Sequence, residues 1–224
     1  MSSGMIALAV DQVIQARKTV KALGDIHHPP EIPEGFYREV QAAITMASWA
    51  PFHFPAHEAH LRDDLDSPVP WRFYTLNQNN CLRFARSILA QPELETDEDS
   101  GIIRMMAACG ALVLVTWLPE PEDSFRARDA ARRTFIDEEH LAATAAATQN
   151  LLLAAKAREI DSYWSSGGVL RDWACFEMCG IPLQEKLLGA IFLFPELPDH
   201  LDVRSGKLRD RRGSPQQWMR WVDI

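Results

Sequence analysis

Two short stretches of the chain concentrate residue types suited to an anionic ligand with an aromatic part. Arg17-Lys18-Thr19-Val20-Lys21 sets three cations and a hydroxyl, able to donate and accept, within five residues. Trp164-Ser165-Ser166-Gly167-Gly168 joins an aromatic ring and two hydroxyls to a glycine pair, and glycine lets backbone approach a bound molecule because no side chain obstructs it. Each also has a plain structural reading: cations neutralising a helix C-terminus for the first, a strand-to-helix turn for the second. Positive charge gathers again between Arg204 and Arg212, as a second anion site or an exposed basic tail.

Other chemistries find less support. No G-x-G-x-x-G follows a strand, and there is no G-x-x-x-x-G-K and no G-x-S-x-G elbow, so the usual nucleotide and hydrolase signatures are missing. His53, His57 and His60 stand near Glu58, Asp63 and Asp64 at spacings that can place metal ligands on one helical face. Pro51 and Pro55 disfavour a helix there, and no metal is expected. No catalytic dyad is visible.

The 224 residues, 47% hydrophobic and 24% charged, are those of an ordinary globular protein, and one domain over 1–224 is expected. A formal charge of −8 argues against a general nucleic-acid surface. The longest apolar stretches, Gly110 to Leu118 and Leu187 to Pro195, fall well short of the roughly 20 residues that cross a bilayer. Met5 to Val10 lacks the preceding positive charge of a secretory signal, so a cytoplasmic location without membrane attachment is expected. Cys81, Cys109, Cys175 and Cys179 read as reduced, mostly buried thiols.

The elements that must position these residues follow from periodicity. Leu8, Val10, Val13 and Ile14 mark an amphipathic helix running towards Arg17. Pro33 opens a second helix that carries Phe36, Val40, Ile44 and Ala47 on one face. Residues 52–70, rich in proline, form a long surface loop. A strand over Trp71 to Leu76 and a helix through Cys81, Phe84, Ala85 and Ile88 come next, followed by a solvated acidic run from Glu93 to Asp99. Ala111 to Trp117 is a buried strand, and Pro119 to Arg133 is a charged linker. Asp137-Glu138-Glu139 suits a helix N-terminus, and that helix runs to about Glu159. From Leu141 to Ala155 it has no charge, so it needs cover on most sides, from a second subunit or from the centre of its own domain. A short strand at Ile160 to Trp164, a helix at Leu170 to Cys179 and a buried strand at Leu187 to Phe194 lead into a polar, basic tail at 196–224. This irregular alternation makes the class α+β.

Taken in order, these stretches resemble the FMN-dependent nitroreductase family, and its smaller members in particular. Arg17 to Ala22 is similar to the family's N-terminal R-x-[ST]-x-[KR] segment. Ala50-Pro51-Phe52-His53-Phe54 and Pro70-Trp71-Arg72-Phe73 look like its A-P-S/D segment and Q-P-W-x-F strand. Trp164-Ser165-Ser166-Gly167 resembles W-x-[ST]-G, and Lys207-Leu208-Arg209 is similar to the closing K-x-R pair. The resemblance implies a three-layer fold with a central antiparallel-rich sheet flanked by helices, in an intertwined homodimer. It implies an FMN-dependent oxidoreductase passing electrons from NADH or NADPH through flavin N5 to a small electrophilic acceptor such as a nitroaromatic, quinone or enone. Alternatives are a specialised flavin-dependent dehydrogenase or dehalogenase, and a flavin-storing protein without turnover. Phe52 replaces the family's small or acidic residue, and Val69 replaces the glutamine before P-W, so the roof of the site departs from the pattern.

Under this resemblance Arg17 and Arg209 take the FMN phosphate bidentately and Lys207 adds charge, with Arg211 and Arg212 as alternatives to Arg209. Lys21 beside Thr19, or else Lys18, meets the pyrimidine edge. An amide of the Trp164, Ser165, Ser166 and Gly167 turn meets N5. Pro51, Phe52 and His53 contact cofactor or substrate, His53 from across the dimer interface, unless it is simply a satisfied loop histidine. Trp71 is assigned to core packing.

Overall fold

A computed structural model describes residues 2–62, 64–199 and 201–223. The chain opens with α1 (Ser3–Ala16), in which no residue is buried, and Met5, Ile6, Leu8, Val10 and Ile14 all stay exposed. Arg17 turns extended and ends the helix, and β1 (Val20–Leu23) follows at once. α2 (Phe36–Ala47) starts after Gly35, whose φ of 81° is one that glycine adopts without strain. The 52–70 loop holds a single 3-10 turn at Glu58–His60 among the described residues. Next come β2 (Trp71–Asn77), α3 (Gln78–Leu89), α4 (Gly101–Ala108) and β3 (Ala111–Trp117). α5 (Ala130–Lys156), β4 (Asp161–Ser165), α6 (Trp173–Met178), β5 (Lys186–Phe194) and β6 (Asp202–Ser205) complete the order.

Four strands pair antiparallel throughout, in the order β2-β3-β5-β4. Side chains alternate along a strand, and both faces of this sheet are apolar. Leu112, Leu114, Phe192 and Phe194 point into a core with α3, α4 and α6. Val113, Val115, Ile191 and Leu193 point into a second core with α2 and α5. The result is helix–sheet–helix, and burying each such side chain contributes about 1.5–3 kcal/mol. All four cysteines are free, and burial pushes the Cys175 and Cys179 thiols up to about 12, so they stay protonated.

Several local expectations are corrected. α5 begins at Ala130 because the Asp129 carboxylate accepts from the Arg132 amide as an N-cap, so the helix does not wait for Asp137. The helix expected over Leu170 to Cys179 is split: a 3-10 turn at Gly168–Arg171 precedes α6, and Asp172 is extended between them and caps α6. Inside the acidic run, Leu94 is buried. Residues 52–70 run over the surface but are pinned from below by Arg72, itself buried on β2. Its guanidinium donates to the carbonyls of Val69 (2.9 Å), Trp71 (2.8 Å), Leu65 and Ser67 (both 3.1 Å) and His60 (3.4 Å).

The remaining two strands, β1 and β6, make a separate antiparallel ribbon with Lys21 opposite Arg204. Thr19 joins this ribbon to the sheet through a parallel bridge to Ser162 of β4. The ribbon brings the two ends of the chain to one edge of the sheet.

Candidate functional site

At that edge the two basic stretches meet. Arg209 donates to the carbonyl of Arg17 at 3.4 Å and to the carbonyl of Gln15, while Arg212 donates to the carbonyl of Arg209 at 2.9 Å. Burial, then the positive charges of Arg209 and Arg212, pull Arg17 below the ordinary arginine range. None of the three forms an ion pair with a carboxylate among the described residues. Three like charges held together without a carboxylate partner make this corner strongly electropositive. Gly206 permits the close approach: a Cβ there would lie 2.9 Å from Thr19 Cβ, and its amide donates to the Thr19 carbonyl at 3.0 Å. Lys18 and Lys207 flank the corner in sequence, and Lys18 is exposed, as is Lys207.

The glycine turn lies one strand length away. β4 carries the chain from Ser162, beside Thr19, to Ser165, a rise of about 10 Å over three residues. Trp164 lays its indole over β5 at Gly189, where a Cβ would sit 2.4 Å from Trp164 Nε1. Gly167 has φ 109°, a conformation that side-chain-bearing residues rarely adopt, and its amide donates to Ser165 Oγ at 3.1 Å. That amide is spent inside the turn, whereas the Ser166 and Gly168 amides make no backbone hydrogen bond among the described residues. The N-terminus of α4 closes the gap between turn and ribbon. A Cβ at Gly101 would sit 3.0 Å from Lys21 Nζ, and one at Gly168 would sit 3.6 Å from Ile102 Cγ1. Thus Arg17, Thr19, Lys21, the Trp164–Gly167 turn and Arg209 belong to one region.

Pro51, Phe52 and His53 do not join them within the chain. Phe52 packs edge-on against Trp71, with centroids 5.9 Å apart, and His53 Nδ1 lies 2.5 Å from Glu139 Oε2 on α5. Phe54 meets Phe135 edge-on at 5.8 Å, with the Arg132 guanidinium over both rings. The other loop histidines diverge: His57 accepts from the Ala59 amide, and His60 bonds the Pro119 carbonyl. No group of three or more His, Cys, Asp or Glu arranged for a metal ion occurs among the described residues, and Asp63 lies outside them.

A cavity of about 710 Å³ opens at the far end of β1. Asp25, Glu98, Asp99 and Asp202 line it, and these carboxylates repel a phosphate that the arginine corner attracts. Sequence reasoning missed Glu139 as the partner of His53, and Arg171, which donates to the Ser166 carbonyl of the glycine turn. Neither sits in a recognisable motif.

The sequence model described as Nitroreductase family matches residues 30–193. Both cationic stretches lie outside that span, so it is the ribbon geometry that brings them to the site. Comparison with curated proteins finds no match. Among solved structures the chain is similar to a nitroreductase-like family protein from Bacillus cereus, at 19% identity over 96% of each chain with a TM-score of 0.61. It is similar to the nitroreductase CinD from Lactococcus lactis in complex with chloramphenicol, at 16% identity over 91% of this chain and 98% of that one, TM-score 0.60. It is also similar to the FMN-dependent nitroreductase NfnB from Mycobacterium smegmatis in complex with NADPH, at 14% identity over 97% and 100%, TM-score 0.57. At these identities the likeness is one of fold.

Proposed function

Because this chain belongs to the nitroreductase family, we propose that it is a flavin-dependent oxidoreductase holding FMN between the arginine corner and the glycine turn. On this reading it passes electrons from NADPH or NADH to a small electrophilic acceptor such as a nitroaromatic, quinone or enone. The observation that carries the reading is the convergence of Arg17, Arg209 and Arg212 without a carboxylate partner. Their mutual repulsion is relieved by a phosphate dianion, which guanidinium forks bind through paired hydrogen bonds. The rise of about 10 Å along β4 from Ser162, beside Thr19, to Ser165 is of the order that the five-carbon ribityl chain and phosphate of FMN span.

Bound FMN supplies hydride chemistry at N5, and the protein binds, orients and tunes it. Reduction places negative charge at N1 and the C2 oxygen, and the Lys21 ammonium, beside Thr19 on the same ribbon face, favours that state. Residues 1–224 act as one cofactor-binding unit. No helix among the described residues is long and apolar enough to cross a membrane, and a cytoplasmic setting suits a dinucleotide-driven enzyme.

The working form on this reading is a homodimer. α1 leaves Met5, Ile6, Leu8, Val10 and Ile14 exposed, α5 leaves Leu141 exposed, and the tail exposes Trp218 and Trp221. A second copy is the economical cover for such a surface. It also gives Pro51, Phe52 and His53 a role, since they stand apart from their own chain's corner and reach a partner's instead. The test is the visible spectrum of the purified protein, followed by anaerobic mixing with NADPH and NADH. The expected result is a yellow protein bleached by one donor; a protein that neither carries nor takes up FMN sinks the reading.

A further inference from the structure

Outside the corner, Arg171 turns all three of its guanidinium nitrogens on the glycine turn and the strand that follows it. Its Nε donates to the Ser166 carbonyl at 2.6 Å, Nη1 to the Leu187 carbonyl at 2.7 Å and Nη2 to the Leu188 carbonyl at 3.1 Å. The last pairing of β4 with β5 is Ser165 with Ala190, so Leu187 and Leu188 lie beyond the end of β4. The β3–β5 register shifts at the same place, between Val115 and Thr116. A strand end and a bulge leave carbonyls that need donors, and one planar guanidinium supplies them. The same group clamps the peptide that joins Ser166 to Gly167. Packing reinforces the clamp: a Cβ at Gly167 would meet Leu187 Cδ2 at 2.7 Å and Arg171 Cγ at 3.3 Å.

The charge of Arg171 is answered only by carbonyl dipoles. No carboxylate lies within ion-pair distance of it among the described residues. A full positive charge therefore stands within hydrogen-bonding distance of the turn.

We infer that Arg171 is a positioning residue for the flavin site: it fixes the Ser166–Gly167 peptide, so that the neighbouring amides stay aimed at the ring, and its charge favours reduced over oxidised FMN. The inference rests on the FMN reading above and adds to it a residue that touches neither phosphate nor ring. The electron balance is the ordinary one: a nicotinamide donor loses a hydride and FMN gains it, leaving negative charge on the pyrimidine side. The charge on Arg171 acts on the energy of that product.

The experiment compares the wild-type protein with Arg171→Gln and Arg171→Lys, each reconstituted with FMN. Two quantities are read: affinity for oxidised FMN, by fluorescence titration, and reduction potential, by equilibration with a reference dye. In Arg171→Gln we expect binding of reduced FMN to weaken about tenfold more than binding of oxidised FMN, which lowers the potential by about 30 mV for a two-electron couple. Arg171→Lys keeps the charge and loses the fork, so it retains part of the potential. Without FMN, amide exchange at 166–168 is expected to speed up in both variants. An unchanged potential in yellow Arg171→Gln overturns the tuning role, and unchanged exchange overturns the clamp. A wild-type protein that takes up no FMN overturns the flavin reading and this inference with it, a result distinct from either.

Discussion

Arg209 rests its guanidinium 3.4 Å from the carbonyl of Arg17, a residue 192 positions earlier in the chain. Two segments that are weak indicators apart become one charged corner through the β1–β6 ribbon. Replacing either arginine by glutamate should therefore weaken FMN binding by about 10- to 100-fold, the worth of a charge-assisted hydrogen bond of roughly 1.5–3 kcal/mol. Fluorescence titration of the apoprotein measures this. Equal FMN affinity in Arg17→Glu would remove the corner from the site.

The two glycines of the turn should respond differently to substitution. Gly167 combines φ 109° with a would-be Cβ only 2.7 Å from Leu187 Cδ2, whereas Gly168, at φ 53°, has ordinary room. Gly167→Ala is expected to cost about 1–3 kcal/mol of stability. Gly168→Asn, whose side chain tolerates the left-handed region, should cost clearly less. Urea denaturation of both variants decides the order, and a reversed order would mean that the turn has another conformation.

Acid should destabilise the protein before its carboxylates titrate. His140 is buried on α5, and burial, then the charge of Arg126, hold its pKa below the usual histidine value even though the Leu118 carbonyl accepts from Nδ1 at 2.6 Å. A lowered folded-state pKa means that the unfolded chain binds the proton first. The contribution of His140 is thus complete above the unfolded value of about 6.5 and drains away as pH falls from there towards the folded value. His140→Asn keeps a donor for Leu118 and cannot titrate, so the urea midpoint should fall less between pH 7 and pH 5.5 than in the wild type. Parallel slopes would place the acid sensitivity elsewhere.

Covering α1 should depend on a second copy. Leu8 is 58% exposed and Ile14 50%, in a helix with no buried residue. Leu8→Glu together with Ile14→Glu is expected to shift sedimentation from dimer towards monomer without unfolding the sheet. A wild-type protein that sediments as a monomer would show that α1 is not a dimer contact.

How much of this was legible in the sequence depended on the length and contrast of each element. α2, α3, β2, β3 and β5 announce themselves because a long apolar period or run leaves few alternatives. β1 and β6 are four residues each, and Val20-Lys21-Ala22-Leu23 and Asp202-Val203-Arg204-Ser205 show no contrast that separates them from loop. α4, Gly-Ile-Ile-Arg-Met-Met-Ala-Ala, is only eight residues long with a single charge, too short a run for its helical period to stand out from the apolar strand that follows. The motifs at Arg17, Trp164 and Lys207 were visible as residue types, but what joins them is the Thr19–Ser162 bridge and the ribbon, which are pairings between distant segments. Arg171 and Glu139 gave no signal, since each acts through a neighbour that only the fold supplies.

Arg72 holds the 60–69 path by four backbone carbonyls, those of His60, Leu65, Ser67 and Val69, and among the described residues by no side-chain hydrogen bond to that path. Every residue type has a carbonyl, so the anchor does not depend on what the loop displays. The segment is a mounting with interchangeable fittings: its outward side chains are free to be rewritten for a new acceptor, provided Arg72 keeps its seat in the sheet.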